Sequence, residues 1–372
     1  MRASIATTSS IAVTAALTVV GCWSGSGGNG ANGTGSASNG AQKGADTAGG
    51  LSLTGAGATF PFPLYTKWIS VYTRDKPGLK INYQSIGSGG GIRQITERTV
   101  DFGATDAPMS DEQLAKAGGV VHIPTALGAV VLTYNLDGIQ SGLELTPEAV
   151  AGIFLGKVTR WSDPAIQGPN PELKLPDRAI ASIHRSDGSG TTRIFVDYLS
   201  AVSPAWKAGP GSGTSVDWPG GLGAKGNEGV AGQVASTPGS IGYVELVYAA
   251  QNKLSYAAMR NAAGRFVMPT LESVTAAAAG AVARMPDDMR VSIVDAQGEG
   301  AYPIAGFTYI LLYKEQRDPA TGRALVDFLK WSIHEGQELT RDLNYAPLPD
   351  AVVKMADAKL AGIGPLQRDP AR

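Results

Sequence analysis

One cysteine in 372 residues, Cys22, leaves no partner for an intramolecular disulfide. Histidine is nearly as scarce: His122, His184 and His334 are the whole supply, and none has a second histidine or the cysteine at helical spacing. Metal-dependent hydrolysis, which needs clustered His, Asp or Cys ligands, is therefore disfavoured. An excess of either charge is also lacking, since 31 Lys and Arg face 32 Asp and Glu for a net charge of −1. Nothing in that balance points to nucleic acid or to a polybasic membrane surface. Beyond residue 22 no segment is long and apolar enough to form a transmembrane helix.

The N-terminus differs from the rest. Arg2 precedes an apolar core from Ile11 to Val20, and Val19-Val20-Gly21-Cys22 closes the segment. That core is shorter than the roughly 20 apolar residues of a bilayer span, so residues 1–22 read as a signal peptide. Its end resembles a bacterial lipobox, which makes Cys22 a lipid-attachment residue and the new N-terminus. Residues 23–50 are rich in Gly, Ser, Ala and Asn, with only Lys43 and Asp46 charged. Such a segment cannot bury enough apolar surface to fold, and as a flexible tether it spans roughly 30 Å. The expected picture is a soluble module lipid-anchored to a bacterial membrane, on its periplasmic side or at the cell surface.

Leu51 to Arg372 is long enough for two domains. Strand patterns at 80–85, 129–134, 241–244 and 307–313 alternate with helical ones, which predicts an α/β architecture. Ser110 to Gln113 has capping-box character, Thr146-Pro147-Glu148 opens a helix, and 324–333 is an amphipathic helix.

The densest chemistry lies in Arg185-Ser186-Asp187-Gly188-Ser189-Gly190-Thr191, ahead of a helix with Ile194, Tyr198 and Val202 on one face. Glycines let backbone N–H groups approach a ligand, hydroxyls add donors, and arginine supplies a fork that fits an oxyanion. The same run also reads as ordinary turn chemistry. Two further glycine runs precede helical patterns: Thr54 to Pro61, and Ile86-Gly87-Ser88-Gly89-Gly90-Gly91. The second lacks the Gly-Lys-Ser/Thr ending of a P-loop. A fourth segment, Val100 to Pro108, carries Asp106, which is either a turn cap or an acceptor for the proton of a partly protonated oxyanion. In a desolvated site such an acceptor repels a fully ionised ligand such as sulfate.

Together these segments closely resemble the phosphate-specific ABC-transporter substrate-binding proteins, the PstS family. The resemblance runs through Leu53 to Pro61, Ile86-Gly87-Ser88, Asp101 to Ala104, Asp106-Ala107-Pro108 and Asp187 to Thr191. It continues through Gly226-Asn227, Gly239 to Glu245 and Leu343 to Pro349, covering nearly all of 51–355. It implies a two-domain, hinged α/β periplasmic-binding-protein fold, the Venus flytrap, with inorganic phosphate in the cleft between the domains. Domain I would combine 51–127 with 304–372, and domain II would be 128–303. The implied donors are Thr59, Phe60 through its N–H, and Ser88 from the first domain, with Arg185, Ser189, Gly190 and Thr191 from the second. Asp106 would accept the phosphate proton and Asp187 would orient Arg185. Gly89 stands where a second serine is frequent, and His184 where another basic residue is often seen. The further expectations are a monomer with no cofactor or metal, docking to permease subunits driven by a cytoplasmic ATPase.

Three rivals remain. Ser189 with His184 and Asp187 is a loose candidate for a hydrolase, although a nucleophilic serine needs a base oriented by a third group. A binder of sulfate, molybdate or a nucleotide conflicts with Asp106 or lacks a suggested aromatic shelf. A purely adhesive lipoprotein leaves the coexistence of four anion-type loops unexplained.

Overall fold

The computed structural model describes residues 50–365; the signal-peptide segment, Cys22 and the tether up to residue 49 lie outside the described residues. Strands β1 (Leu51–Gly57), β2 (Leu79–Ser85) and β3 (Phe102–Thr105) alternate with helices α1 (Phe62–Thr73), α2 (Ser88–Thr96) and α3 (Asp111–Ala117). Strand β4 (Val120–Tyr134) leads through helix α4 (Pro147–Phe154) to β5 (Ala181–Arg185) and α5 (Gly190–Val202). Then follow β6 (Leu222–Ala224), α6 (Gly226–Ser236), β7 (Ser240–Glu245), α7 (Leu246–Gln251), β8 (Ala305–Tyr313) and α8 (Pro319–Ile333). The main sheet has the order β2-β1-β3-β8-β4-β7-β5-β6, with the short strand Ser255–Tyr256 beside the end of β4.

The α/β pattern expected from the sequence is present, and its helix-start signals are local enough to have been readable. Ser110 and Gln113 make the full reciprocal capping box of α3, and Thr146 caps α4 with Pro147 at its first position. Helix α8 begins earlier than the apolar periodicity suggests, because Asp318 caps it ahead of Pro319. The glycine run at 54–61 differs from its reading as a turn. Its first part is β1, buried from Gly55 to Gly57 and paired in parallel with both β2 and β3. A side chain at Gly55 would collide with the Phe102 ring, so glycine serves close packing there.

Strand β4 organises the molecule. Val120 to Ala129 pair with β8, whereas Val130 to Tyr134 pair with β7, so one strand passes from one half of the sheet into the other. All but one of its fifteen residues are buried, and it is mostly apolar with His122, Thr125 and Thr133 embedded. Pro124 cannot donate to a ladder, and the register shifts opposite it, between Thr308 and Tyr309. The shift leaves Thr125 as the extra residue on β4, beside Thr308.

Leu132 is fully buried just past the change of partner. Leu132→Ala should lower unfolding free energy by about 2–5 kcal/mol in chemical denaturation. A loss below about 0.5 kcal/mol would contradict the packing assigned to this strand.

Candidate functional site

Strands β1 and β3 run parallel to each other and β5 runs parallel to β7, but the two sets run in opposite directions. Their carboxyl ends therefore converge towards the middle of β4. Loops at the carboxyl ends of such strands form the natural crevice of an α/β fold. Thr59 and Phe60 follow β1, Asp106 follows β3, and Arg185 ends β5. Helices α2, α5 and α6 start beside them at Ser88, Gly190 and Gly226. Helix starts carry unpaired N–H groups and partial positive charge, so the three together favour an anion.

Arg185 is held from both sides. Its Nε and Nη2 donate to Asp187 Oδ1 and Oδ2 at 2.8 and 2.6 Å, a bidentate pair with the guanidinium 1% exposed. Gly226 N–H also donates to Asp187 Oδ1. Burial works against the Asp187 charge, but these donors prevail and hold its carboxyl below the ordinary range. The remaining nitrogen, Nη1, points to Thr191 Oγ1 at 3.4 Å.

Asp106 is the other pole. Its Oδ1 accepts from Thr308 Oγ1 at 2.8 Å, across 202 residues of sequence, and Ser88 Oγ approaches Oδ2 at 3.4 Å. Burial pushes this carboxyl up to about 7, outweighing Thr308, the Arg185 charge and Ser88, which all pull it down. The turn-cap alternative does not describe this side chain. Gly190 lies against it: a β-carbon there would sit 2.5 Å from Ser88 Oγ and 2.6 Å from Asp106 Oδ2.

The expected donors gather around these poles. Gly190 N–H donates to Ser88 Oγ at 3.0 Å, and Gly89 N–H to Gly188 O at 2.9 Å, so segments from the two halves of the sheet touch directly. Among the described residues, the main-chain N–H groups of Thr59, Phe60 and Thr191 donate to no protein acceptor, although all three residues are buried. Ser189 is used differently: its Oγ caps α5 by accepting the Thr192 N–H. His184 turns Nδ1 to Arg185 O and stacks its ring on Trp218 at 4.7 Å.

Two participants carry no role in the sequence reading. Thr308 reaches Asp106 from β8, and nothing near it in sequence marks it. Asn227, in the first turn of α6, donates through Nδ2 to Thr59 Oγ1 at 2.7 Å and to Thr191 Oγ1 at 3.0 Å. Its signal was a glycine-asparagine pair opening a helix. Among the described residues no group of three His, Cys, Asp or Glu is placed to hold a metal ion.

Residues 32–335 match the PBP superfamily domain. A phosphate-binding protein PstS of Xylella fastidiosa is 51% identical over 309 residues, covering 83% of this chain and 84% of the relative. One from Pasteurella multocida is 46% identical and covers 83% and 89% of the two chains. Among solved structures, a high affinity periplasmic phosphate-binding protein bound with phosphate superposes with a TM-score of 0.66. It is 21% identical and covers 85% of this chain and all of the other. The phosphate-binding protein of Stenotrophomonas maltophilia gives 0.64 at 20% identity, with 83% and 93% coverage. The architecture is thus the mixed α/β, two-domain fold of that superfamily.

The raised Asp106 pKa has a stability consequence in the phosphate-free protein. The folded chain keeps this proton up to about pH 7, whereas the unfolded chain releases it near 4. The folded state therefore binds more protons between those values, and stability falls as pH rises through that window. Asp106→Asn should remove this slope and gain up to about 2–4 kcal/mol over wild type at pH 8. Thermal melts from pH 4 to 8 that run parallel for the two proteins would rule it out.

Proposed function

The chain belongs to the PstS family of phosphate-binding proteins, and from that premise we propose that it captures inorganic phosphate outside the cytoplasm and delivers it to an ABC-type import permease. The observation that carries the reading is Asp106, a buried carboxyl facing an arginine and a set of N–H and O–H donors. Near neutral pH phosphate still carries a proton, whose hydrogen bond an ionised Asp106 accepts. Sulfate carries none and meets repulsion without water to screen it. The donors attract either ion, and the acceptor chooses between them.

The phosphate ligands in this reading are Thr59, Phe60, Ser88, Asp106, Arg185, Ser189, Gly190 and Thr191, with Asp187 orienting Arg185. Three buried N–H groups without protein acceptors support it. So does the Gly190 N–H on Ser88 Oγ, a contact that a tetrahedral oxyanion could replace by bridging the two. Domain I is taken as 51–127 with 304–372 and domain II as 128–303, joined at β4. Its change of partner after Ala129 and the start of β8 at Ala305 support that division.

Closure follows from the division. A ligand shifts an open–closed equilibrium only through contacts that the open form lacks. Each hydrogen bond to a charged ligand contributes about 1.5–3 kcal/mol. A few from domain II supply the roughly 5.5 kcal/mol that takes a population from 1:99 to 99:1. The closed protein then docks the transmembrane subunits, whose ATPase drives import. The chain acts as a monomer anchored through a lipid on Cys22, with 23–50 as tether. The role is binding without catalysis: His184 turns Nδ1 to Arg185 O and stacks on Trp218, so it is not oriented as a base on Ser189.

Calorimetry should therefore show phosphate bound in strong preference to sulfate, with a preference that widens from pH 5 to 8 as Asp106 ionises. Arg185→Ala should weaken phosphate binding about a hundredfold or more and leave the open form dominant in solution scattering. Equal affinity for the two anions, or full compaction of the Arg185 variant by phosphate at wild-type concentrations, would count against the proposal.

A further inference from the structure

Asn227 touches both halves of the site, yet the donor set above includes none of its atoms. Its orientation is fixed by one unambiguous group. Glu245 N–H can only donate, and Asn227 Oδ1 accepts it at 2.9 Å. The amide NH2 must then face the threonines. A hydroxyl has one proton to give and two lone pairs to receive. Thr59 Oγ1 receives Asn227 Nδ2 at 2.7 Å and Asn227 N–H at 3.3 Å, which occupies both lone pairs. Thr191 Oγ1 receives Asn227 Nδ2 at 3.0 Å and Arg185 Nη1 at 3.4 Å, with the same result. Each hydroxyl is left with only its proton to offer.

We propose that Asn227 is a positioning residue that forces the Thr59 and Thr191 hydroxyls to act as donors, and so presets the site for an anion. The proposal rests on the phosphate-binding reading and adds to it the polarity of two ligands. Without Asn227 each hydroxyl can rotate its proton onto a neighbouring acceptor and turn a lone pair towards the anion. Asn227 is fully buried, and its backbone is anchored by the first turn of α6, so no water replaces its amide at no cost. The same bonds join the loop after β1 to the starts of α5 and α6, which ties donor polarity to the meeting of the two halves.

The test is a double-mutant cycle on the full chain, read as phosphate Kd by calorimetry in wild type, Asn227→Ala, Thr59→Val and the double variant. Asn227→Ala should weaken phosphate binding about tenfold in the wild-type background. In the Thr59→Val background, where no hydroxyl remains at that position to orient, its cost should fall to about threefold or less. A purely structural role for Asn227 predicts the same factor in both backgrounds, and that result overturns the proposal, as does an unchanged Kd for Asn227→Ala. Circular dichroism and melting of each variant separate a folding defect from a binding one, and Asn227→Ser, which keeps a small polar group, gives a folded comparison if the alanine variant is unstable. Wild type that fails to bind phosphate removes the functional reading and this proposal with it, whereas binding by wild type with equal factors removes this proposal alone.

Discussion

A buried carboxyl is tolerable only if it stays neutral or if donors and a nearby positive charge compensate it. Asp106 lies between those conditions, with burial pushing its pKa to about 7 while Thr308, Arg185 and Ser88 pull the other way. The rest of the site can be understood as the surroundings such a group requires. Arg185 is itself fixed by Asp187, so its charge cannot swing onto Asp106 and cancel it. The result is a buried carboxyl balanced between its neutral and ionised forms, near a positive group that cannot leave.

The sheet makes that arrangement possible. Asp106 stands at the end of β3 and Arg185 at the end of β5, on opposite sides of the crossing made by β4. The register shift at Pro124 leaves Thr125 unpaired beside Thr308, the residue whose hydroxyl donates to Asp106. A proline in a central strand costs a ladder hydrogen bond, and here the disruption falls beside the threonine that contacts the carboxyl.

What could be read from sequence divides along the same physical line. The cap of α3, the start of α4 and the donor run at 185–191 depend on neighbours a few residues apart, and their chemistry is visible in a short window. The role of Asp106 could be argued from its type alone, once an anion site was suspected. Thr308 and Asn227 could not be found that way, because each acts on a residue far off in the chain. Strand β1 was hidden for another reason: Gly55 serves close packing against Phe102 and Gly57 against the Ala104 backbone, and in sequence they look like a turn. The passage of β4 between the two halves is a matter of pairing, which no periodicity records.

The central claim is that Asp106 accepts a hydrogen bond from the proton of the bound ligand and stays ionised while doing so. Carboxyl carbon-13 NMR of aspartate-labelled, phosphate-loaded protein at pH 7, with the Asp106 signal assigned by its loss in Asp106→Asn, tests this directly. The account predicts the chemical shift of a carboxylate at that position. A shift characteristic of a protonated carboxylic acid in the loaded protein would contradict it.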